Sequence, residues 1–81
     1  MPATIVRIMR DKKHRGGKIV TVITGIPASA TEITTLAQQL KKLCGSGGTV
    51  KDNIIEIQGD HLDNIQTRLT ELGYKVKRSG G

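Results

Sequence analysis

The stretch Arg10-Asp-Lys-Lys-His-Arg-Gly-Gly-Lys18 lies between two apolar, β-branched runs, Thr4–Met9 and Ile19–Thr24. Two such runs joined by a polar segment with paired glycines predict a β-hairpin with a long, exposed tip. We expect the first strand to begin at about Ala3 and end at Met9, and the second to run from Lys18 to Thr24. Residues 10–18 are called the basic loop below.

The basic loop and Arg7 just before it hold nearly all of the excess positive charge of the chain. Between Arg7 and Lys18 there are six basic residues and one acidic residue, which give +5 of the formal net charge of +6. Lysine and arginine gain free energy by displacing counterions from phosphates, so this concentration favours a polyanionic partner. Tyr74 is the only aromatic residue, which favours recognition of a folded RNA's shape and backbone over base stacking. An ordinary solvated hairpin tip is the alternative.

The length of 81 residues allows one domain with one core. A single cysteine excludes an intrachain disulfide and fits a reducing compartment. No run approaches the roughly 18–20 apolar residues of a membrane helix, and the N-terminus does not read as a signal peptide. We therefore expect a single cytoplasmic domain over residues 1–81, with 78–81 as a disordered tail and no membrane contact.

The first helix is predicted by a capping box, Ser29-Ala-Thr-Glu32, in which a hydroxyl precedes a carboxylate by three residues. Gly45 is suited to end it. Apolar residues then recur with helical spacing. This stripe consists of Ile33, Leu36, Ala37, Leu40, Leu43 and Cys44.

The second half of the chain repeats the order of strands and helix. Thr49–Lys51 and Ile54–Gln58 flank Asp52-Asn53, a dipeptide suited to a tight turn. A helix from His61 to Leu72 follows, with Asp60 as its predicted cap. Its apolar stripe consists of Leu62, Ile65, Leu69 and Leu72. Tyr74–Arg78 alternates as an edge strand.

The predicted order is therefore β-β-α-β-β-α-β, and the fold class is α+β. Each helix has one apolar stripe to bury, so we expect a two-layer α/β sandwich with both helices on one face of a mixed five-stranded sheet. Gly45-Ser-Gly-Gly48 is interpreted as a flexible connection. It does not suit a phosphate loop, because it follows a helix and enters a strand.

The residues give little support to catalysis or metal binding. Cys44 lies on the apolar stripe, His14 suits an RNA contact better than a general base, and His61 is assigned to the surface. One cysteine and two separated histidines do not make a zinc site. We expect no enzyme activity, no catalytic residue, no metal and no cofactor. The lysines and Arg78 of the last strand, with Lys41 and Lys42, form either a second basic surface or ordinary solvated faces.

Three stretches resemble the translation initiation factor 1 domain of eukaryotes and archaea, which also occurs in short bacterial homologues. Residues 15–26, RGGKIVTVITGI, are similar to its hairpin. Residues 40–60, LKKLCGSGGTVKDNIIEIQGD, resemble the short bacterial and archaeal members even more, and residues 72–77, LGYKVK, complete the pattern.

The resemblance implies a fold of two helices on one side of a five-stranded sheet. It also implies binding to the small ribosomal subunit near the peptidyl site, with the basic loop directed at the decoding region. Discrimination of start codons and initiator tRNA would follow, without chemistry. Contacts with initiator tRNA and mRNA would be indirect, other initiation factors are further candidate partners, and the protein is expected to be a monomer.

The resemblance assigns RNA binding to loop positions that match the family motif, and charge and proximity add their neighbours. The matching residues are Arg15, Gly16, Gly17 and Lys18, and the neighbours are Arg10, Lys12, Lys13 and His14. Gln38, Lys41 and Lys42 of the first helix are a weaker second set. Two other functions stay open: a general RNA-binding or stress-linked translational repressor, and a protein-interaction module using the edge strand Tyr74–Arg78.

Overall fold

A mixed five-stranded sheet carries two helices on one of its faces in the computed structural model, which describes residues 5–12 and 18–79. The strands are β1 (Ile5–Asp11), β2 (Val20–Thr24), β3 (Gly48–Lys51), β4 (Ile54–Gln58) and β5 (Lys75–Arg78), and the helices are α1 (Ala30–Cys44) and α2 (Leu62–Glu71). The strand order is β3-β4-β2-β1-β5, in which only the β1–β5 pair is parallel. The predicted fold class and element order are confirmed.

The first hairpin differs from its predicted boundaries. The β1–β2 ladder continues through the pairs Arg10↔Thr21 and Asp11↔Val20, so Arg10 and Asp11 belong to β1 rather than to the loop. Lys18 and Ile19 precede β2, which begins at Val20. The polarity of residues 10 and 11 concealed this extension, because backbone pairing does not require an apolar side chain.

The core lies between the helices and the face of the sheet that they cover. Strand side chains alternate between faces, and the register places Val6, Ile8, Ile23, Ile55 and Ile57 on the covered face. The helices supply the opposite layer: Ile33, Leu36, Ala37 and Leu40 from α1, and Leu62, Ile65 and Leu69 from α2. The described core is aliphatic, with Tyr74 packed at its margin.

Two leucines predicted on the apolar stripes are exposed instead. Leu43 is 47% exposed, and in the last turn of α1 it is Cys44 that packs, partly buried, against the core. Leu72 is 44% exposed because α2 ends at Glu71 and leaves Leu72 as the residue that follows the helix.

The predicted capping box of α1 is confirmed. The Ser29 hydroxyl accepts a hydrogen bond from the Glu32 amide at 3.1 Å, and the Glu32 carboxylate accepts one from the Ser29 amide at 3.1 Å. Hydrogen bonding to the charged carboxylate, first by the Ser29 backbone amide and then by the Ser29 side chain, holds the pKa of Glu32 below its usual value of 4.5. Gly45 ends the helix and donates its amide to the Lys41 and Lys42 carbonyls.

The predicted cap of α2 is wrong. The N-cap position is His61, which makes no side-chain capping bond, and the Asp60 carboxylate pairs with Arg10 instead. A carboxylate just before a helix can either cap the helix or pair with a nearby cation. Here Asp60 pairs with Arg10 of β1. The predicted tight turn is confirmed, because Asp52 and Asn53 both have positive φ, 53° and 62°.

The connection from Gly45 to Gly48 is hydrogen-bonded rather than flexible. The Ser46 amide donates to the Lys41 carbonyl at 3.1 Å, and the Gln58 amide donates to the Gly47 carbonyl at 2.9 Å. Gly48 is the first residue of β3. A Cβ atom there would lie 2.4 Å from the Glu56 carbonyl oxygen.

Replacing Gly48 by alanine therefore forces the β3 backbone away from β4. We expect Gly48→Ala to lower the free energy of unfolding by about 1–3 kcal/mol, as overpacking usually does. Gly47→Ala is the control, since a Cβ there meets only the Gln58 side chain at 3.5 Å. Urea unfolding of both variants checks this, and equal midpoints would contradict it.

The lowered pKa of Glu32 makes part of the stability depend on pH. A carboxylate whose folded pKa is depressed stabilises the protein above its unfolded pKa, and this contribution is lost as the pH falls through the folded pKa. Wild type should therefore be more stable than Glu32→Gln at pH 7, and the difference should shrink below pH 4.5. Thermal unfolding of both proteins across pH 7 to 3 measures it; a difference independent of pH would refute it.

Candidate nucleic-acid interface

The basic loop connects β1 to β2, and neither of these strands is at an edge of the sheet. Within the basic loop, Lys12 follows β1 and Lys18 lies shortly before β2, and both side chains are exposed. Five of its predicted RNA-binding residues lie outside the described residues: Lys13, His14, Arg15, Gly16 and Gly17. Their roles stay predictions, as do those of the described ones.

Arg10 points to the covered side of the sheet rather than along the loop. Its guanidinium lies 3.2 Å from the Asp60 carboxylate, and the two side chains are 46% and 42% exposed. Such an exposed pair contributes about 0.2–1 kcal/mol. Arg10 therefore links β1 to the segment before α2. A bound RNA would contact an arginine that is already paired with Asp60.

The hydroxyl of Thr21 holds the same segment against β2. Thr21 is fully buried, donates to the Gly59 carbonyl at 2.8 Å and accepts from the His61 amide at 3.0 Å. The Gly59 amide in turn donates to the Ile19 carbonyl at 2.7 Å. These bonds and the Arg10–Asp60 pair form what we call the loop-base clamp: Arg10, Ile19, Thr21, Gly59, Asp60 and His61.

His61 extends the loop-base clamp to the end of α1. Its ring nitrogen Nε2 lies 3.1 Å from the Ser46 hydroxyl, and the residue is half-buried. The expected surface role is therefore only partly right. The sequence contained no signal for this contact, because Ser46 and His61 lie on different elements.

The structure brings the last turn of α1 to the loop end of the sheet. Arg10, Thr21, Ile57 and Gly48 form one row across β1, β2, β4 and β3. Gly48 closely follows α1, so Lys41 and Lys42 lie at the end of the sheet from which the basic loop leaves. Lys42 is exposed and Lys41 half-buried, while the exposed Gln38 lies about one turn farther back.

The second basic surface suggested by the sequence does not form as described. Lys75 and Lys77 alternate with Val76, which packs against the core, so they lie on the uncovered face of the sheet. Lys41 and Lys42 belong to the helix layer on the other side. Arg78 bonds Gln66 at 2.7 Å and pairs with Asp63 of α2.

An open groove adjoins the loop base. It has a volume of about 550 Å³ and is lined by Lys18, Ile19, Val20, Gln58 and Gly59. Gln58 and Gly59 were not among the predicted site residues. Their place beside Lys18 depends on the β2–β4 pairing, Val20↔Gln58.

The described residues show no arrangement typical of metal chemistry. Within residues 5–12 and 18–79, no three histidine, cysteine, aspartate or glutamate side chains come together. Burial raises the pKa of the Cys44 thiol, which disfavours the nucleophilic thiolate. None of the described helices has the length and apolarity needed to cross a membrane.

The loop-base clamp can be tested by removing one hydroxyl. Thr21→Val leaves the Gly59 carbonyl and the His61 amide without their partner, so we expect the free energy of unfolding to fall by about 1–3 kcal/mol. Thr24→Val, on the same strand and on the other face, should change it little. Urea unfolding compares them, and a Thr21→Val variant as stable as Thr24→Val would show that the clamp contributes nothing.

A comparison with protein families gives one match. The model described as "Translation initiation factor SUI1" matches residues 2–75 of this chain. The match spans both hairpins, both helices and the first position of β5.

Curated relatives come from bacteria and archaea. The uncharacterized protein YciH of Salmonella typhimurium is 54% identical over 77 residues, covering 95% of this chain and 71% of the relative. YciH of Escherichia coli K12 is 51% identical over 77 residues, with the same coverage. The "protein translation factor SUI1 homolog" of Picrophilus torridus is 47% identical over 74 residues, covering 90% and 74%.

The family match and the relatives agree with the resemblance that the sequence showed in residues 15–26, 40–60 and 72–77. The chain belongs to the SUI1 family of translation initiation factors.

Proposed function

We propose that this protein acts, without catalysing a reaction, as a translation initiation factor of the kind represented by initiation factor 1 of eukaryotes and archaea. In this proposal the basic loop enters the small ribosomal subunit near the peptidyl site and influences the choice of start codon and initiator tRNA. The protein would work in the cytoplasm as a monomer, without a cofactor. Family membership supports the role in initiation. The peptidyl site, the start codon and initiator tRNA are what the resemblance of residues 15–26, 40–60 and 72–77 to the initiation factor 1 domain implies.

The observation that carries the proposal is the anchoring of a highly charged loop on a fixed base. The loop-base clamp ties β1 and β2 to the segment before α2 through Thr21, Gly59 and Asp60. A base ordered before binding lowers the entropy lost when the loop meets its target. The charges at the loop base, Lys12 and Lys18, then act from a defined position.

Charge supports ribosomal RNA as the direct target. Lys12 and Lys18 are exposed at the loop base, and Lys41 and Lys42 lie at the same end of the sheet. Lysines bind phosphates as point charges, whereas arginine binds them bidentately. The predicted contact of Arg15 would therefore fix the orientation of a phosphate as well as attract it. Initiator tRNA and mRNA would be affected indirectly, and other initiation factors are possible neighbours on the subunit.

A decisive experiment is co-sedimentation with purified small and large ribosomal subunits over a range of salt concentrations. Arg15→Ala/Lys18→Ala tests the loop. Lys51→Ala/Arg68→Ala is the control, since it removes the same charge from exposed positions on β3 and α2. Each lost phosphate contact should reduce the slope of log K against log salt by about 0.7–0.9, which makes about 1.4–1.8 for two.

The proposal predicts salt-sensitive binding to the small subunit only, weakened in the loop variant and kept in the control. Absence of small-subunit binding at low salt would overturn it. Equal competition by unrelated structured RNAs would favour the alternative of a general RNA-binding translational repressor. Binding that is insensitive to salt would direct attention to a protein partner of the edge strand β5.

A further inference from the structure

The face of the sheet that lacks helices, here called the open face, has a distinct charge pattern. Side-chain alternation and register place Arg7 of β1 and Lys75 and Lys77 of β5 on this face. Arg7 and Lys77 are direct register partners on neighbouring strands, about 4.8 Å apart. All three side chains are exposed. These three residues are called the open-face cluster.

Cations on the same two strands are paired on one face and unpaired on the other. On the covered side, Arg10 of β1 pairs with Asp60, and Arg78 of β5 pairs with Asp63. On the open face, Arg7, Lys75 and Lys77 have no acidic partner within the described part of the chain. The alternation of side chains along the strands thus separates cations that pair with acids of the same chain from cations that face solvent or a ligand.

Protection of an edge strand does not account for this cluster. Lysines on β5 would be enough to discourage pairing of that edge with another chain. Arg7 lies on β1, which is not an edge strand because it pairs with β2 on one side and with β5 on the other. Like charges at directly paired positions destabilise a sheet. Binding of an anionic ligand would relieve this repulsion, so the pair favours such a ligand.

The β1–β5 side of the open face, which carries three cations and one exposed aliphatic side chain, Ile5, favours RNA over a protein partner. Protein interfaces usually depend on buried aromatic or aliphatic anchors, but the only aromatic residue of the chain, Tyr74, packs against the core. Ile5, 42% exposed, lies beside Lys75 at the margin of the open-face cluster. The guanidinium of Arg7 can bind a phosphate bidentately, and Lys75 and Lys77 can bind neighbouring phosphates as point charges. The three side chains together therefore suit a row of phosphates.

We propose that Arg7, Lys75 and Lys77 form a second phosphate-binding surface that contacts RNA on the face of the sheet opposite the helices. The inference deepens the proposed function and rests on it, since it gives ribosomal RNA a second point of contact apart from the basic loop. The RNA backbone would cross the β1–β5 edge of the sheet. Two separated contacts fix the orientation of a bound protein, whereas a single loop leaves it free to pivot.

The test uses Arg7→Gln/Lys77→Gln against the charge-matched control Lys51→Gln/Arg68→Gln. Binding to small ribosomal subunits is titrated at several salt concentrations. We expect the slope of log K against log salt to fall by about 1.4–1.8 in the cluster variant relative to the control. Equal slopes and equal affinities in the two variants would overturn the proposal.

Thermal unfolding checks that the variant is folded. Removing two adjacent like charges should leave its melting temperature equal to or above that of wild type. If Arg7→Gln/Lys77→Gln unfolds at a lower temperature, Lys75→Gln/Lys77→Gln, which changes only the edge strand, is used in its place, and the same comparison of slopes decides.

A second titration with a duplex RNA hairpin separates this inference from the proposed function. If wild type does not bind small subunits, the initiation proposal fails. The open-face cluster then stands only if the cluster variant still shows the reduced slope on the hairpin, and it falls if the hairpin slopes match. If wild type binds subunits and the loop variant weakens binding while the cluster variant equals its control, the initiation proposal stands and the second surface is wrong.

Discussion

The buried hydroxyl of Thr21 is the contact on which the arrangement of the site depends. It accepts the His61 amide and donates to the Gly59 carbonyl, so β2 and the segment before α2 share one hydrogen-bonded junction. No other polar or charged side chain is buried in the described part of the chain. Buried polar groups are nearly always hydrogen-bonded, and the two bonds of this hydroxyl join the hairpin to the second half of the fold.

From this junction, two further contacts position charge around the loop. Asp60 follows Gly59 and reaches Arg10, while His61 reaches Ser46 behind the last turn of α1. Lys12 and Lys18 at the base of the basic loop therefore lie at the same end of the sheet as the lysines of α1. In the proposed binding to RNA, this arrangement matters more than any single side chain, because affinity for an RNA surface depends on several charges contacting it together.

The sheet uses its two faces for different purposes. The covered face holds the aliphatic core and paired cations, whereas the open face holds Arg7, Lys75 and Lys77 without acids beside them. Membership of the SUI1 family supports a role in translation initiation. The sorting of charge by strand alternation indicates which of its cations are available to a partner and which stabilise the fold.

The sequence by itself determined the element order, the fold class and the ends of α1, because hydrophobic periodicity, capping residues and turn residues act over a few neighbouring positions. It also located the charge in the basic loop. Only the tertiary structure decided which partner each polar residue takes: Asp60 with Arg10 instead of the α2 cap, Arg78 with Asp63, and Ser46 with His61. These pairs join residues 15 to 50 positions apart. Their selection depends on strand register and helix packing, which local sequence patterns do not encode.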